Sequence, residues 1–136
     1  MLKMDREHSR EVNYDIKLPE SELDVMMAIW SLEPPATSSK LMKVLGNDRG
    51  WKVPTLISFL NRLEDRGFIE SFKNGKERSY IAIADKDEYL HRLSNTFVEK
   101  YHGGSIGEFL NSLYRGKMLD NNDIDALLTW LKAKYN

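Results

Sequence analysis

Apolar side chains recur every three or four residues over three stretches in the first half of the chain, which is the period of an amphipathic helix. These stretches are residues 19–30, 37–45 and 53–66. Pro34-Pro35 separates the first two, since proline lacks the amide proton that a helix interior needs. Gly46 and Gly67 follow the second and third, where glycine is the usual helix-ending residue. The pattern therefore predicts three short helices.

Two segments after the third helix have the composition of β-strands. Residues 68–72 and 78–83 are rich in aromatic and β-branched side chains, and they flank Asn74-Gly75, a strong two-residue hairpin signal. Three helices followed by a hairpin is the element order of a winged helix-turn-helix domain. In such a domain the third helix enters a DNA major groove, and the hairpin tip reaches the neighbouring backbone.

The helical period returns after Asp85 and predicts three more amphipathic helices, separated by Gly103-Gly104 and by Gly116. Their apolar faces need a cover, and a second copy of the chain would supply one. We therefore expect a homodimer. The predicted dimerisation residues are Tyr89, Leu93, Phe97, Tyr101, Phe109, Leu113, Ile124, Leu127, Leu128 and Leu131.

The expected fold is mainly α with a small β-hairpin. Residues 1–17 lack an apolar period and are assigned to a flexible N-terminal extension, in which order is expected from Tyr14 onward at the earliest. Residues 18–84 are assigned to the winged-helix DNA-binding domain, and residues 85–136 to a C-terminal helical dimerisation region.

Composition excludes several classes of protein. The chain has 136 residues and no cysteine, which excludes disulfides and thiolate metal sites. It lacks the run of about 18 apolar residues that a membrane helix requires. The first 15 residues are charged and lack the apolar core of a secretory signal, so we expect a cytoplasmic protein.

Charge is unevenly distributed. Residues 40–80 contain nine Lys and Arg against five Asp and Glu, whereas the chain as a whole has a net charge of −1. This basic middle segment coincides with the third helix and the hairpin, the two elements that a winged helix presents to DNA.

The side chains of these two elements that the core does not need are the candidate DNA contacts. Short hydroxyl and basic side chains suit base edges and phosphates, and Ile57 could meet a thymine methyl group. The alternative is an ordinary solvated surface with a basic turn. The predicted DNA-binding residues are Lys52, Thr55, Ile57, Ser58, Arg62, Lys73, Lys76 and Arg78.

The sequence shows no catalytic constellation. The three histidines lie far apart, and no glycine-rich phosphate loop or Gly-x-Ser-x-Gly elbow occurs. We therefore expect neither an enzyme nor a metal or cofactor site.

Several motifs together resemble the penicillinase repressor (BlaI/MecI) family of bacterial regulators. They include Leu23 to Trp30, Gly50-Trp51 ahead of Thr55, Leu60-Asn-Arg-Leu63 and Arg78-Ser-Tyr80. The resemblance implies a dimeric transcriptional repressor that binds palindromic operators of resistance or transport genes. The chain departs from the family pattern at Lys52-Val53-Pro54, where the usual Ser or Thr helix cap is missing.

The resemblance also implies a route of release. In antibiotic-responsive members, a membrane sensor protease system triggers cleavage of an Asn-Phe bond in the dimerisation helices. The corresponding bond here is Asn111-Ser112, which lacks the phenylalanine. The copper-responsive branch uses cysteines, which this chain does not contain.

Two alternative functions stay open at this point. A winged helix can bind protein instead of DNA, as an adaptor. A repressor can also be released by a small molecule, for which Tyr89, Phe97 and Tyr101 are the candidate pocket residues.

Overall fold

The computed structural model describes residues 11–135, which form two compact units that meet between Leu93 and Ser94 in sequence. The elements are α1 (Glu20–Ser31), β1 (Ala36–Thr37), α2 (Ser38–Leu41), a π-helical turn (Met42–Gly46), a further helical turn (Asn47–Arg49), α3 (Val53–Asp65), β2 (Ile69–Asn74), β3 (Glu77–Ala82), α4 (Lys86–Tyr101), α5 (Ile106–Arg115) and α6 (Asn121–Tyr135).

The three helices expected in the first half are confirmed, but the end of the second was predicted too early. Thr37 caps α2, and its Oγ1 accepts a hydrogen bond from the Lys40 N–H at 3.2 Å. Gly46 is buried and helical rather than terminal; a Cβ atom there would lie 2.5 Å from the Cε of Met42. The helical backbone continues to Arg49 and ends at Gly50, which has a φ of 65°.

The hairpin is confirmed, and it belongs to a larger sheet than expected. β2 and β3 pair antiparallel from Ile69 with Ala82 to Asn74 with Glu77. β1 pairs with the other side of β3, so the strand order is β1-β3-β2. This third strand was not predicted, because two residues are too few to show an alternating pattern.

The core of the first unit lies between α1, α3, the sheet and the start of α4. Leu56, Leu60 and Leu63 of α3 are fully buried, at the spacing that the helical period predicts. They share this core with Val25 and Met26 of α1. Burying one face of α3 in this way leaves its opposite face to solvent.

Residues 11–17, assigned to a flexible extension by the sequence, pack on the first unit in the structure. Tyr14 contacts the core with its ring, and its hydroxyl accepts a hydrogen bond from the Asp85 N–H at 2.9 Å. The Asp15 carboxylate pairs with Arg92 of α4 at 3.0 Å. The remainder of the expected extension, residues 1–10, lies outside the described residues.

The second unit consists of the end of α4 together with α5 and α6. Ser105 caps α5, since its Oγ accepts the Glu108 N–H at 3.1 Å, and at the start of α6 Asp120 and Asp123 accept one another's backbone N–H groups. Neither α5 nor α6 contains a buried residue. Within the described chain, none of the helices has the length and apolar content to span a bilayer.

Candidate nucleic-acid interface

The exposed face of α3 is the first part of the candidate interface. Thr55, Ser58 and Arg62 are exposed at helical spacing, opposite the three buried leucines. Lys52 precedes the helix in extended conformation and is also exposed. Asn61 shares this exposed face, although sequence reasoning did not select it. Its position three residues after Ser58 was the available signal.

Ile57 does not belong to this exposed face. Its side chain is partly buried and packs against the core, so we assign it to packing. The sequence interpretation placed it among the free side chains because a partly buried position at the edge of a helix face cannot be distinguished by periodicity alone.

The hairpin, which we call the wing, provides the second part. Lys73, Lys76 and Arg78 are exposed. Lys73 lies directly opposite Arg78 in the β2-β3 register, so both side chains belong to the same face of the sheet. Lys76 follows Gly75, which has φ of 75°, in the turn. The wing therefore presents three cations around a two-residue turn.

Two carboxylates near these cations accept hydrogen bonds from serine hydroxyl and backbone N–H groups. The Glu64 carboxylate near the end of α3 accepts from the Ser71 hydroxyl at 2.9 Å and from its N–H at 3.1 Å. The Glu77 carboxylate in β3 accepts from the N–H of Ser39 at 2.9 Å and from its hydroxyl. These hydrogen bonds hold the pKa of Glu77 below its usual range.

The N-terminal part of the helix-turn-helix contributes two cations that sequence reasoning did not select. Lys40 of α2 and Lys43 of the π-helical turn are exposed. In helix-turn-helix proteins the helix before the recognition helix crosses the DNA backbone, where lysines neutralise phosphates. The signal available in the sequence was their place in the basic middle segment.

The predicted dimerisation residues fall in two different places. Phe97, Tyr101, Leu128 and Leu131 are at least 38% exposed, in the second unit. Phe109, Leu113, Ile124 and Leu127 are partly buried there. Ile106, Tyr114 and Trp130, which were not predicted, add to the exposed apolar surface of this unit.

Tyr89 is a correction to the prediction. It is 1% exposed, packs edge to face on Phe68, and its hydroxyl accepts the Leu18 N–H at 2.9 Å. It is therefore a core residue of the first unit and cannot lie at a dimer interface or line a ligand pocket with Phe97 and Tyr101. Leu93 also packs against this core. The apolar stripe continues without a break along α4. Its period therefore does not show that the first part of the stripe packs on the core whereas Phe97 and Tyr101 are exposed.

Comparisons with known proteins agree on a single family. A family model described as penicillinase repressor matches residues 18–133. The methicillin resistance regulatory protein MecI of Mammaliicoccus sciuri is 22% identical over 122 residues, covering 90% of this chain and 98% of that protein. The penicillinase repressor of Bacillus licheniformis is 22% identical over 120 residues, covering 88% and 93%.

A third relative and a solved structure complete the comparison. An uncharacterised 16.5 kDa protein from the ptsI 3′ region of Latilactobacillus sakei is 30% identical over 114 residues, covering 84% of this chain and 77% of that protein. The solution structure of the DNA-binding domain of the repressor BlaI matches with a TM-score of 0.50 and 24% identity, covering 58% of this chain and 94% of that chain. This likeness shows the winged-helix fold.

Proposed function

The chain belongs to the penicillinase repressor family of DNA-binding repressors, and we propose that it represses transcription by binding palindromic operator DNA as a homodimer. The observation that carries this proposal is the pairing of a polar, exposed α3 face with a basic wing on one winged-helix unit. The two elements are those with which a winged helix contacts DNA.

In the proposed complex, α3 enters the major groove. Thr55 and Ser58 have short hydroxyl side chains near the start of the helix, which suits contacts to base edges. Lys52 and Arg62 flank them and would neutralise phosphates. Asn61, exposed on the same face, can bond to a base edge through both the carbonyl oxygen and the NH2 group of its side-chain amide. The side chains on this face would thus provide the sequence readout.

The wing and α2 would attach the protein to the DNA backbone. Lys73, Lys76 and Arg78 of the wing, and Lys40 and Lys43 before α3, are exposed cations. Phosphate contacts of this kind fix the register of the protein on the duplex without reading its sequence, and they make affinity depend steeply on salt.

Dimerisation through the second unit is supported by its uncovered apolar surface. Leu128 is 50% exposed and Trp130 is 55% exposed, and α5 and α6 contain no buried residue. Apolar surface of this extent is typical of an interface. Two copies related by a two-fold axis would place their α3 helices about 34 Å apart and would therefore require a palindromic site.

Release by cleavage at Asn111-Ser112, through a membrane sensor protease system, is the regulatory part of the proposal. Both residues are exposed in the second half of α5. Cleavage there would separate α6 from the rest of the proposed dimerisation region and would weaken the dimer. The Asn111-Ser112 peptide bond lies inside α5, where the backbone carbonyls bond to N–H groups four residues later. A protease would therefore have to unwind α5 locally before it could bind this segment.

Equilibrium binding of the purified chain to the duplex upstream of its own gene, against an unrelated duplex at two salt concentrations, tests the proposal. We expect preference for the upstream duplex, two chains per palindrome, and affinity that falls with salt. Failure to bind either duplex at low salt, with a folded dimer confirmed by sedimentation, would favour the protein-binding adaptor. Binding by a single chain would contradict the homodimer.

A further inference from the structure

A hydrogen-bonded chain joins the end of α3 to the wing. The Arg78 guanidinium donates to the Ser71 Oγ at 3.0 Å through Nη2. The Ser71 hydroxyl in turn lies 2.9 Å from both Glu64 carboxylate oxygens, and the Ser71 N–H donates to the same carboxylate at 3.1 Å. Glu64 belongs to α3, Ser71 to β2 and Arg78 to β3. Three elements are thus linked through one serine hydroxyl.

The direction of these bonds is set by the serine. A hydroxyl has one proton, so when it donates to Glu64 its lone pairs remain as acceptors for Arg78. Because the carboxylate also holds the backbone of Ser71, the hydroxyl has a fixed position relative to α3. The position of the Arg78 guanidinium is therefore set from α3 and not by the exposed hairpin alone.

We propose that Glu64 and Ser71 are positioning residues for Arg78, which they hold at a fixed place beside the α3 surface for contact with a DNA phosphate. This inference rests on the proposed DNA-binding function. An ordered guanidinium binds phosphate with less loss of side-chain freedom than a mobile one, and its planar donors suit two phosphate oxygens at once.

The inference predicts an effect of unusual sign. Removing an acidic side chain next to bound DNA normally strengthens binding, because it removes repulsion of the phosphates. If Glu64 positions Arg78, its removal weakens binding instead. Asp65, the next residue, provides a matched control because it is exposed and its carboxylate makes no hydrogen bond or ion pair with a described residue.

The experiment measures DNA affinity and its salt dependence for Glu64→Ala, Glu64→Gln, Ser71→Ala and Asp65→Ala. We expect Glu64→Ala and Ser71→Ala to bind about fivefold more weakly than the unaltered chain. Glu64→Gln keeps an oxygen that accepts from Ser71 and should restore binding. Asp65→Ala should bind as tightly as the unaltered chain or more tightly. Thermal unfolding of each variant confirms that it is folded.

The same substitutions in an Arg78→Ala background separate positioning from a general effect on the fold. Arg78→Ala alone should reduce the salt slope by about one phosphate contact. Adding Glu64→Ala should then cause no further loss, since the group that Glu64 positions is gone. Losses that add, or Glu64→Ala binding as tightly as Asp65→Ala, would overturn the inference. Failure of the unaltered chain to bind DNA would instead overturn the proposed function.

Discussion

The Glu22 carboxylate in α1 accepts a hydrogen bond from the Nε of Arg66, the residue that follows α3, at 2.9 Å. Glu22 is 1% exposed, whereas about a third of the Arg66 side chain is exposed to solvent. Sequence analysis did not select Glu22. In the structure it connects the start of α1 to the end of the proposed recognition helix.

Arg66→Ala should therefore lower the free energy of unfolding by about 2–3 kcal/mol, because it leaves the buried Glu22 carboxylate without its partner. Glu22→Gln keeps an acceptor for Arg66 and should cost about 1 kcal/mol. Denaturant unfolding measures both. Arg62→Ala, an exposed arginine one helical turn earlier, is the control and should stay within about 0.5 kcal/mol. Equal effects of Arg66→Ala and Arg62→Ala would contradict the structural role.

Substitution of both α3 hydroxyl residues should reduce DNA specificity. Thr55→Ala with Ser58→Ala removes the proposed base contacts, so the ratio of specific to nonspecific affinity should fall about tenfold or more. Competition binding with operator and unrelated duplexes gives this ratio. Ser94→Ala with Thr96→Ala removes two exposed hydroxyl groups from α4 and should leave the ratio unchanged. If both duplexes lose affinity equally, base readout by these hydroxyls is refuted.

Lys76→Ala should weaken binding to every duplex, since a turn lysine contacts phosphate and not bases. The slope of log affinity against log salt should become smaller by about 0.9. Lys86→Ala, which removes an exposed lysine at the start of α4, is the control and should keep the full slope. An unchanged slope for Lys76→Ala would remove this residue from the proposed contacts.

The bonds between Glu77 and Ser39 should make stability depend on pH. They lower the pKa of Glu77 from its ordinary value of 4.5, so the ionised carboxylate favours the folded state. This contribution is complete above pH 4.5 and is lost as the pH falls through the lowered pKa. Thermal unfolding should therefore show a deficit for Glu77→Gln at neutral pH that shrinks in acid. Glu33→Gln, at an exposed position, should show no such deficit. A deficit independent of pH would exclude the carboxylate charge as the cause.

Leu128→Glu should dissociate the proposed dimer. The side chain is half exposed in the single chain, so the substitution should not unfold the second unit, but it would bury a charge in the interface. Sedimentation should report a monomer at concentrations where the unaltered chain is dimeric. Val44→Glu alters a side chain that is 43% exposed in the first unit and should remain dimeric. A dimeric Leu128→Glu would move the interface away from α6.

Sequence reasoning found the elements whose apolar spacing is regular. The spacing of the three buried leucines and the Asn74-Gly75 pair are strong local signals, and they correctly predicted α3 and the β2-β3 hairpin. It also placed Thr55, Ser58 and Arg62 correctly on the exposed face of α3, but it did not select Asn61 and wrongly placed the partly buried Ile57 on that face. Whether these residues contact DNA remains a prediction.

The features that sequence reasoning missed depend on contacts between residues far apart in the chain. The Glu77 carboxylate contacts Ser39 because β1 pairs with the edge of β3. At two residues, β1 is too short to be recognised as a strand from the sequence. Tyr89 follows the same helical period as Phe97, yet only the first lies over the core formed by the earlier helices. Periodicity shows that one face of a helix is apolar, but it does not show which part of the protein covers that face.

The register of the wing limits where its length can change. Ser71 and Glu77 are each tied to a helix, one through Glu64 of α3 and the other through Ser39 of α2. Inserting or deleting one residue in β2 before Ser71, or in β3 after Glu77, would turn that side chain to the opposite face of the sheet and break its hydrogen bond to the helix. The two-residue turn, Gly75-Lys76, lies beyond both anchors. Relatives with longer or shorter wings should therefore differ at this turn, and a peptide tag or loop graft should be tolerated only there.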